Sequence, residues 1–146
     1  VQRRREEEVQ RRREEAEERA KEHKQKGDES FEAQNLDDAN MHYNDAIILY
    51  KEAIELDPNN NAYKSSLEDV LTSKERAEAM QHERFARVLE HIENNTIGQD
   101  VLLSLRSLAD IHVKVLSKAL KNNTTAKTLY LDENKIGEAG AQAVAE

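Results

Sequence analysis

NNTIGQDVLLSLRSLADIHVKVLSKALK occupies residues 94–121, and NNTTAKTLYLDENKIGEAGAQAVAE follows it at 122–146. Laid over each other at an offset of 28, the two stretches coincide at Asn94-Asn95-Thr96 and Asn122-Asn123-Thr124. Ile92 falls on Leu120, Val101 and Leu103 fall on Leu129 and Leu131, and Leu108 falls on Ile136. Val113, Val115 and Leu116 fall on Ala141, Ala143 and Val144. Each period reads as a helix, a polar turn, a short strand with alternating apolar positions, and then the next helix. Such a unit cannot bury its apolar side alone, so it stacks on a neighbour.

The second stretch resembles a leucine-rich repeat of the ribonuclease-inhibitor type, the kind also found in innate-immune receptors (NLR-like). Leu129, Leu131, Asn134 and Ile136 match the L-x-L-x-x-N-x-I segment, and Ala126 stands where a further Leu is usual. The resemblance implies that Leu129 and Leu131 point into the core and that Asn134 bonds backbone left unpaired as the chain turns. It places Gly137 and Gly140 at the turn and at the approach of the next helix. The preceding period departs from the pattern, with Arg106 at the Asn position and Ala109 and His112 at the Gly positions. A degenerate first repeat with Glu83 to Ile92 over its open end reads as an N-terminal cap. About one and a half repeats are present where a stable solenoid needs ~3, which predicts further repeats beyond Glu146.

Upstream, Leu36, Ala39, Tyr43, Ala46, Ile47, Tyr50, Ala53 and Ile54 recur at three and four, the stripe of an amphipathic helix. Asn35 to Asp38 reads as its start, with acidic residues favourable to the helix dipole. Asp57-Pro58-Asn59-Asn60-Asn61 ends it and holds the only proline. Before it, Gly27 and Asp28 read as a break or re-cap, after which helix resumes with Phe31 as its apolar anchor. KGDESF at 26–31 and YKEAIELDPNN at 50–60 resemble the ends of the two helices of a tetratricopeptide repeat. Gly27 to Pro58 spans 31 positions, about one heptad more than usual in that 34-residue repeat, and Tyr43-x-x-Ala46 recurs as Tyr50-x-x-Ala53. Some members of the family grip acidic C-terminal tails with Lys and Asn side chains. Lys24 matches such a lysine, but Asp28 stands at the Asn position and would repel an acidic tail, so that reading is rejected. Residues 62–92 carry a further helical stripe from Tyr63 to Ile92, read as one helix or as two with a bend near Ser73 to Glu75.

Residues 1–26 form a third kind of sequence. VQRRREE at 1–7 recurs at 9–15, and the segment has ten basic and eight acidic residues without Gly or Pro. Arg3 with Glu7, Arg4 with Glu8, Glu7 with Arg11, Glu8 with Arg12 and Arg13 with Glu17 lie four apart, each pair contributing ~0.2–0.5 kcal/mol to an isolated helix. Val9, Ala16 and His23 are seven apart, but Arg12 and Arg19 occupy the companion heptad positions, so a self-sufficient coiled coil is not expected. The segment reads as a solvated helix held by ion pairs, with a seam laid against another protein as the alternative.

Of the 146 residues, 30 are acidic and 22 basic, and the net charge of −8 argues against a nucleic-acid-binding body. The absence of Cys excludes disulfides, thiolate metal sites and cysteine nucleophiles. No apolar run approaches the ~20 residues of a membrane span, and the first residues do not read as a signal peptide. His23, His42, His82, His91 and His112 form no HExxH, and no Glu lies three before a His. His42 near Asp38 and Asp45 is the nearest approach to a cluster, and it reads as an exposed polar face. Asp132-x-Asn134-x-Ile136-Gly137 begins like a calcium loop but carries Ala143 where a bidentate Glu is required. The two Asn-Asn-Thr sequons are explained as repeat turns. No phosphate loop or nucleophile elbow is present, so neither catalysis nor a cofactor or metal is expected.

The resulting expectation is a mainly α chain: a long charged N-terminal helix, a tetratricopeptide-like hairpin, then the start of an α/β leucine-rich-repeat solenoid. The segments are 1–26, 27–81 and 82–146. The expected role is a non-catalytic protein–protein interaction scaffold in the cytoplasm, with the cytoskeleton or cilium as alternatives. Its partners would be other proteins, within a large assembly in one version, and neither nucleic acid nor membrane. Thr128, Tyr130 and Asp132 on the strand face, and Arg4 and Arg12 on the arm, are the candidate partner-binding residues. Two alternatives stand beside it: a structural component of a cytoskeletal or axonemal assembly, and a regulatory leucine-rich-repeat protein resembling GTPase activators or immune sensors.

Overall fold

The computed structural model describes residues 2–98, 100–102, 108–130, 134, 136, 137 and 141. It is mainly helical. The elements are α1 (Gln2–Glu32), α2 (Leu36–Leu56), α3 (Asn61–Met80), α4 (Glu83–Glu93), β1 (Asp100–Leu102), α5 (Asp110–Leu120) and β2 (Thr128–Tyr130). Contacts divide the chain into two compact units, Val1–Ala77 and Glu78–Glu146, the division falling in the last turn of α3.

The first unit is a three-helix arrangement. Helix α1 runs antiparallel to α2: Gly27 meets Tyr43 near one end, and Arg13 pairs with Asp57 at the other. Helix α3 runs parallel to α1, with Tyr63 bonded to Glu17 and Arg76 lying 5.6 Å over the Phe31 ring. The core is made of small and aromatic side chains, Ala20, Ala39, Ala46 and Ala77 with Tyr43, Tyr50, Ile47, Leu49 and Val70. Ala16, Ala53 and Tyr63 form a second cluster. Alanines at the crossing let helix backbones approach closely, and the tyrosines fill the groove left between them.

Two expectations are corrected here. The break at Gly27 does not occur: α1 continues through it to Glu32, and Gly27 has no positive φ. Its role is steric. A Cβ built there would lie 2.6 Å from Tyr43 Cε1 and 2.7 Å from Cδ1, so only glycine lets the ring lie against the α1 backbone. The segment 1–26 is also not a solvated helix throughout. Ala16 and Ala20 are buried, and Arg13 leaves its expected partner Glu17 to bind Asp57, which frees Glu17 for Lys21 at 2.7 Å. Every residue from Gln2 to Arg12 is exposed, and there Arg3 pairs with Glu7 at 3.4 Å as the spacing predicts.

Helix α2 begins and ends at the predicted residues. Asn35 Oδ1 accepts from the Asp38 N–H at 3.2 Å, and Asp37 and Asp38 sit in the first turn. Helix α3 shows no break near Ser73. It ends at Met80, and His82 opens α4 by accepting the Phe85 N–H on Nδ1 at 3.1 Å.

In the second unit β1 and β2 pair in parallel, Asp100 with Thr128, Val101 with Leu129 and Leu102 with Tyr130. Every pair is 28 residues apart, the offset of the sequence repeat. Phe85, Leu89 and Ile92 of α4 join Val101, Leu108, Val115 and Leu116 in one core, with Leu129, Leu120 and Ala126 partly buried against it. The turns are tied across the same offset. Asn123 Nδ2 donates to the Ile92 carbonyl at 2.8 Å, and Asn95 Oδ1 accepts from the Thr124 N–H at 3.1 Å. Asn134 Oδ1 accepts from the Leu108 N–H at 3.0 Å, so that Asn does bond backbone at the turn. The readings at Leu103, Arg106, Leu131, Gly140, Ala143 and Val144 lie outside the described residues.

Candidate functional site

The first unit carries a groove of about 250 Å³ between α1 and α3, lined by Lys21, Lys24, Gln25, Asp28, Tyr50, Ser66, Asp69 and Val70. Tyr50 is the one residue of α2 at its lining. Tyr43 and Tyr50 lie seven apart on α2, two helical turns, and each meets a serine seven apart on α3: Tyr43 bonds Ser73, and Tyr50 bonds Ser66. Tyr43 Oη also donates to Asp28 Oδ1 at 2.6 Å. Burial, and then the Asp28 carboxylate accepting its proton, push the Tyr43 phenol well above its ordinary range. Burial raises Tyr50 and Tyr63 as well. These hydroxyls are fixed donors and acceptors of a helix–helix seam.

Both lysines of the groove are already engaged. Lys24 Nζ lies 2.6 Å from Asp28 Oδ2, and Lys21 Nζ lies 2.7 Å from Glu17 Oε1. The hydrogen bond between Lys21 and Glu17 lowers the carboxyl and raises the ammonium from their usual values. Asp28 thus serves Lys24 and Tyr43 at once. The residue that departs from the acidic-tail clamp pattern neutralises the lysine that fits it. With Asp69 also at the lining, the groove offers an acidic peptide no excess positive charge.

The candidate partner-binding residues are dispersed between the two units. Arg4 and Arg12 are exposed on α1. Thr128 is exposed on β2, next to the partly buried Leu129 that faces the core. Tyr130 takes part in the strand pairing through its backbone, while its side chain and Asp132 lie outside what is described.

A cluster that sequence reasoning set aside comes together instead. His23 of α1 and His42 of α2 face each other with Nδ1 atoms 3.2 Å apart and ring centroids 5.5 Å apart. Asp45 Oδ2 lies 3.9 Å from His23 Nδ1. His42 and Asp45 are one turn apart and share a face of α2, but His23 is 19 positions from His42. Only the antiparallel pairing of α1 with α2 adds it, and no local spacing encodes that. The other histidines have structural work: His82 and His112 cap α4 and α5, and His91 Nδ1 lies 2.8 Å from Thr96 Oγ1.

Among the described residues no helix is long and apolar enough to cross a membrane. Comparison of the chain with protein-family models, with curated proteins and with solved structures gives no match.

Proposed function

We propose that this chain is a non-catalytic protein–protein interaction scaffold, with a tetratricopeptide-like hairpin in the first unit and the capped start of a leucine-rich-repeat solenoid in the second. The observation that carries the reading is the register of β1 on β2. A 28-residue offset visible in the sequence recurs as the offset of every strand pair. Repetition of that kind builds extended surfaces for other proteins. The antiparallel α1–α2 pair, with Gly27 and Ala39, Ala46 and Ala53 at close approach, supports the hairpin half of the reading. The binding surface is assigned to the strand face at Thr128, Tyr130 and Asp132 and to the arm at Arg4 and Arg12, and the setting is the cytoplasm.

The test is affinity capture by the intact chain with two variants. Thr128→Arg, on the strand face, is expected to abolish capture of a recurring protein, and Lys121→Glu, after α5, to preserve it. Capture that is equal for both variants, or no recovery above background, refutes the reading. A structural role in a large assembly is a second reading, favoured by the uniform exposure of Gln2 to Arg12. Protection of that segment from trypsin only inside an assembly would select it.

A further inference from the structure

We propose that His23, His42 and Asp45 form a transition-metal site that takes Zn²⁺ and fastens α1 to α2. The three ligand atoms, one from each residue, all lie within 4.8 Å of one another. With Zn–N lengths of about 2.0–2.1 Å and tetrahedral angles, two imidazole nitrogens on one ion stand roughly 3.3 Å apart. The two Nδ1 atoms are 3.2 Å apart. They are therefore already spaced as two ligands of one ion, both through Nδ1. Without a cation, that contact is a hydrogen bond only if one ring carries its proton on Nδ1 and the other does not. With one, both lone pairs are used.

Asp45 supplies the third ligand. Its Oδ2 is 3.9 Å from His23 Nδ1, and its side chain is 48% exposed, so a rotamer adjustment brings it onto the ion at little cost. His42 and Asp45 are spaced three apart, in the reverse order of the Glu-x-x-His pairs that ligate metals in bundle cores, and the interval likewise puts both on one face of the helix. Two imidazoles and a carboxylate are an N/O donor set that suits Zn²⁺ and its neighbours in the transition series, and not Ca²⁺ or Mg²⁺, which want oxygen. The His23 side chain is 24% exposed, so water reaches the fourth position. Because the ligands come from both helices, the ion would hold the hairpin closed beside the contact of Gly27 with Tyr43.

The test uses the intact chain freed of metal with a chelating resin. Zn²⁺ is expected to raise the midpoint of thermal unfolding, by on the order of 10 °C at a hundredfold excess over Kd. Co²⁺ is expected to give the visible absorption of a tetrahedral site, displaced by Zn²⁺. His42→Gln should abolish both effects, and Asp45→Asn should weaken Zn²⁺ binding by about 10–100-fold, at least the loss a supporting residue causes. A Zn²⁺ shift that is absent, or unchanged in His42→Gln, overturns the proposal. Should His42→Gln fail to fold, ring ¹⁵N resonances of the wild-type chain decide. Zn²⁺ must move Nδ1 of His23 and His42 together, and movement confined to His82, His91 or His112 overturns the site.

Discussion

Gly27→Ala offers a sign reversal. In an ordinary helix interior the change stabilises, by roughly 0.5–1 kcal/mol, because alanine loses less backbone entropy. Gly27 is mid-helix with ordinary helical dihedrals, so that gain is available here too. Against it stands the Tyr43 ring, whose Cε1, Cδ1 and Cζ atoms would lie 2.6, 2.7 and 3.1 Å from the new methyl. The ring cannot swing away freely. Tyr43 is 2% exposed, and its hydroxyl is tied to Asp28 and Ser73. Overpacking of this kind costs about 1–3 kcal/mol. Displacement of the ring also weakens its bond to the Asp28 carboxylate, worth roughly 1.5–3 kcal/mol. The balance is a net loss of roughly 1–3 kcal/mol. For a unit the size of Val1–Ala77, that lowers the midpoint by on the order of 10 °C.

The assay is thermal and urea unfolding followed by near-ultraviolet circular dichroism. The chain has no Trp, and three of its four tyrosines (Tyr43, Tyr50 and Tyr63) lie in this unit, so the signal reports it selectively. A double-mutant cycle isolates the contact. In a Tyr43→Ala background the ring is gone, and Gly27→Ala should turn stabilising by up to about 1 kcal/mol. If Gly27→Ala alone raises the midpoint, the steric reading of Gly27 is wrong.

Three further outcomes are expected. Asn123→Ala removes the bond to the Ile92 carbonyl at 2.8 Å and leaves the Thr125 and Ala126 N–H groups, now held at 3.0 and 2.7 Å, without their acceptor. A loss of about 1–3 kcal/mol follows, with faster hydrogen exchange at those two amides as its local signature. Arg13→Ala breaks the pair with Asp57, whose side chains are 26% and 34% exposed, and should cost less than about 1 kcal/mol, with the difference shrinking in high salt. His112 is held below its ordinary value by burial and then by neighbouring His82, and its Nδ1 accepts the Ala109 N–H at 3.0 Å, so the folded state wants the neutral ring. The unfolded chain protonates this residue at about pH 6.5, above the folded value. Stability from this group is therefore complete above that pH and is lost as pH falls toward the lower folded pKa. Urea midpoints at neutral and mildly acidic pH should show a drop that is smaller in His112→Gln.

Much of the fold was legible because local rules and tertiary packing agreed. The stripe from Leu36 to Ile54, the Asn35 cap and the Asp57-Pro58 stop fixed α2, and the 28-residue offset anticipated how Val101 would meet Leu129. Gly27 was misread because a glycine flanked by polar residues looks like a terminus from sequence. Its real partner, the Tyr43 ring, lies 16 positions away on another helix. Arg13 was assigned to Glu17 by the four-residue rule, and a better-placed carboxylate at the α2 terminus won. The groove lysines are partly legible, since Asp28 in the sequence spoils an acidic-tail clamp, whereas its bond with Tyr43 depends on the α1–α2 register. The facing of His23 and His42 had no local signal, because it depends on the α1–α2 register.

Crosslinking mass spectrometry on the intact protein in its native extract tests the scaffold reading most directly. The reporters are Lys21 and Lys26, exposed on α1, and Lys121 and Lys127, exposed in the second unit. An interaction scaffold predicts recurrent crosslinks from these lysines into one other protein, reproduced across preparations. Crosslinks confined to this chain, at the same reagent concentration and with the fold intact, would contradict it.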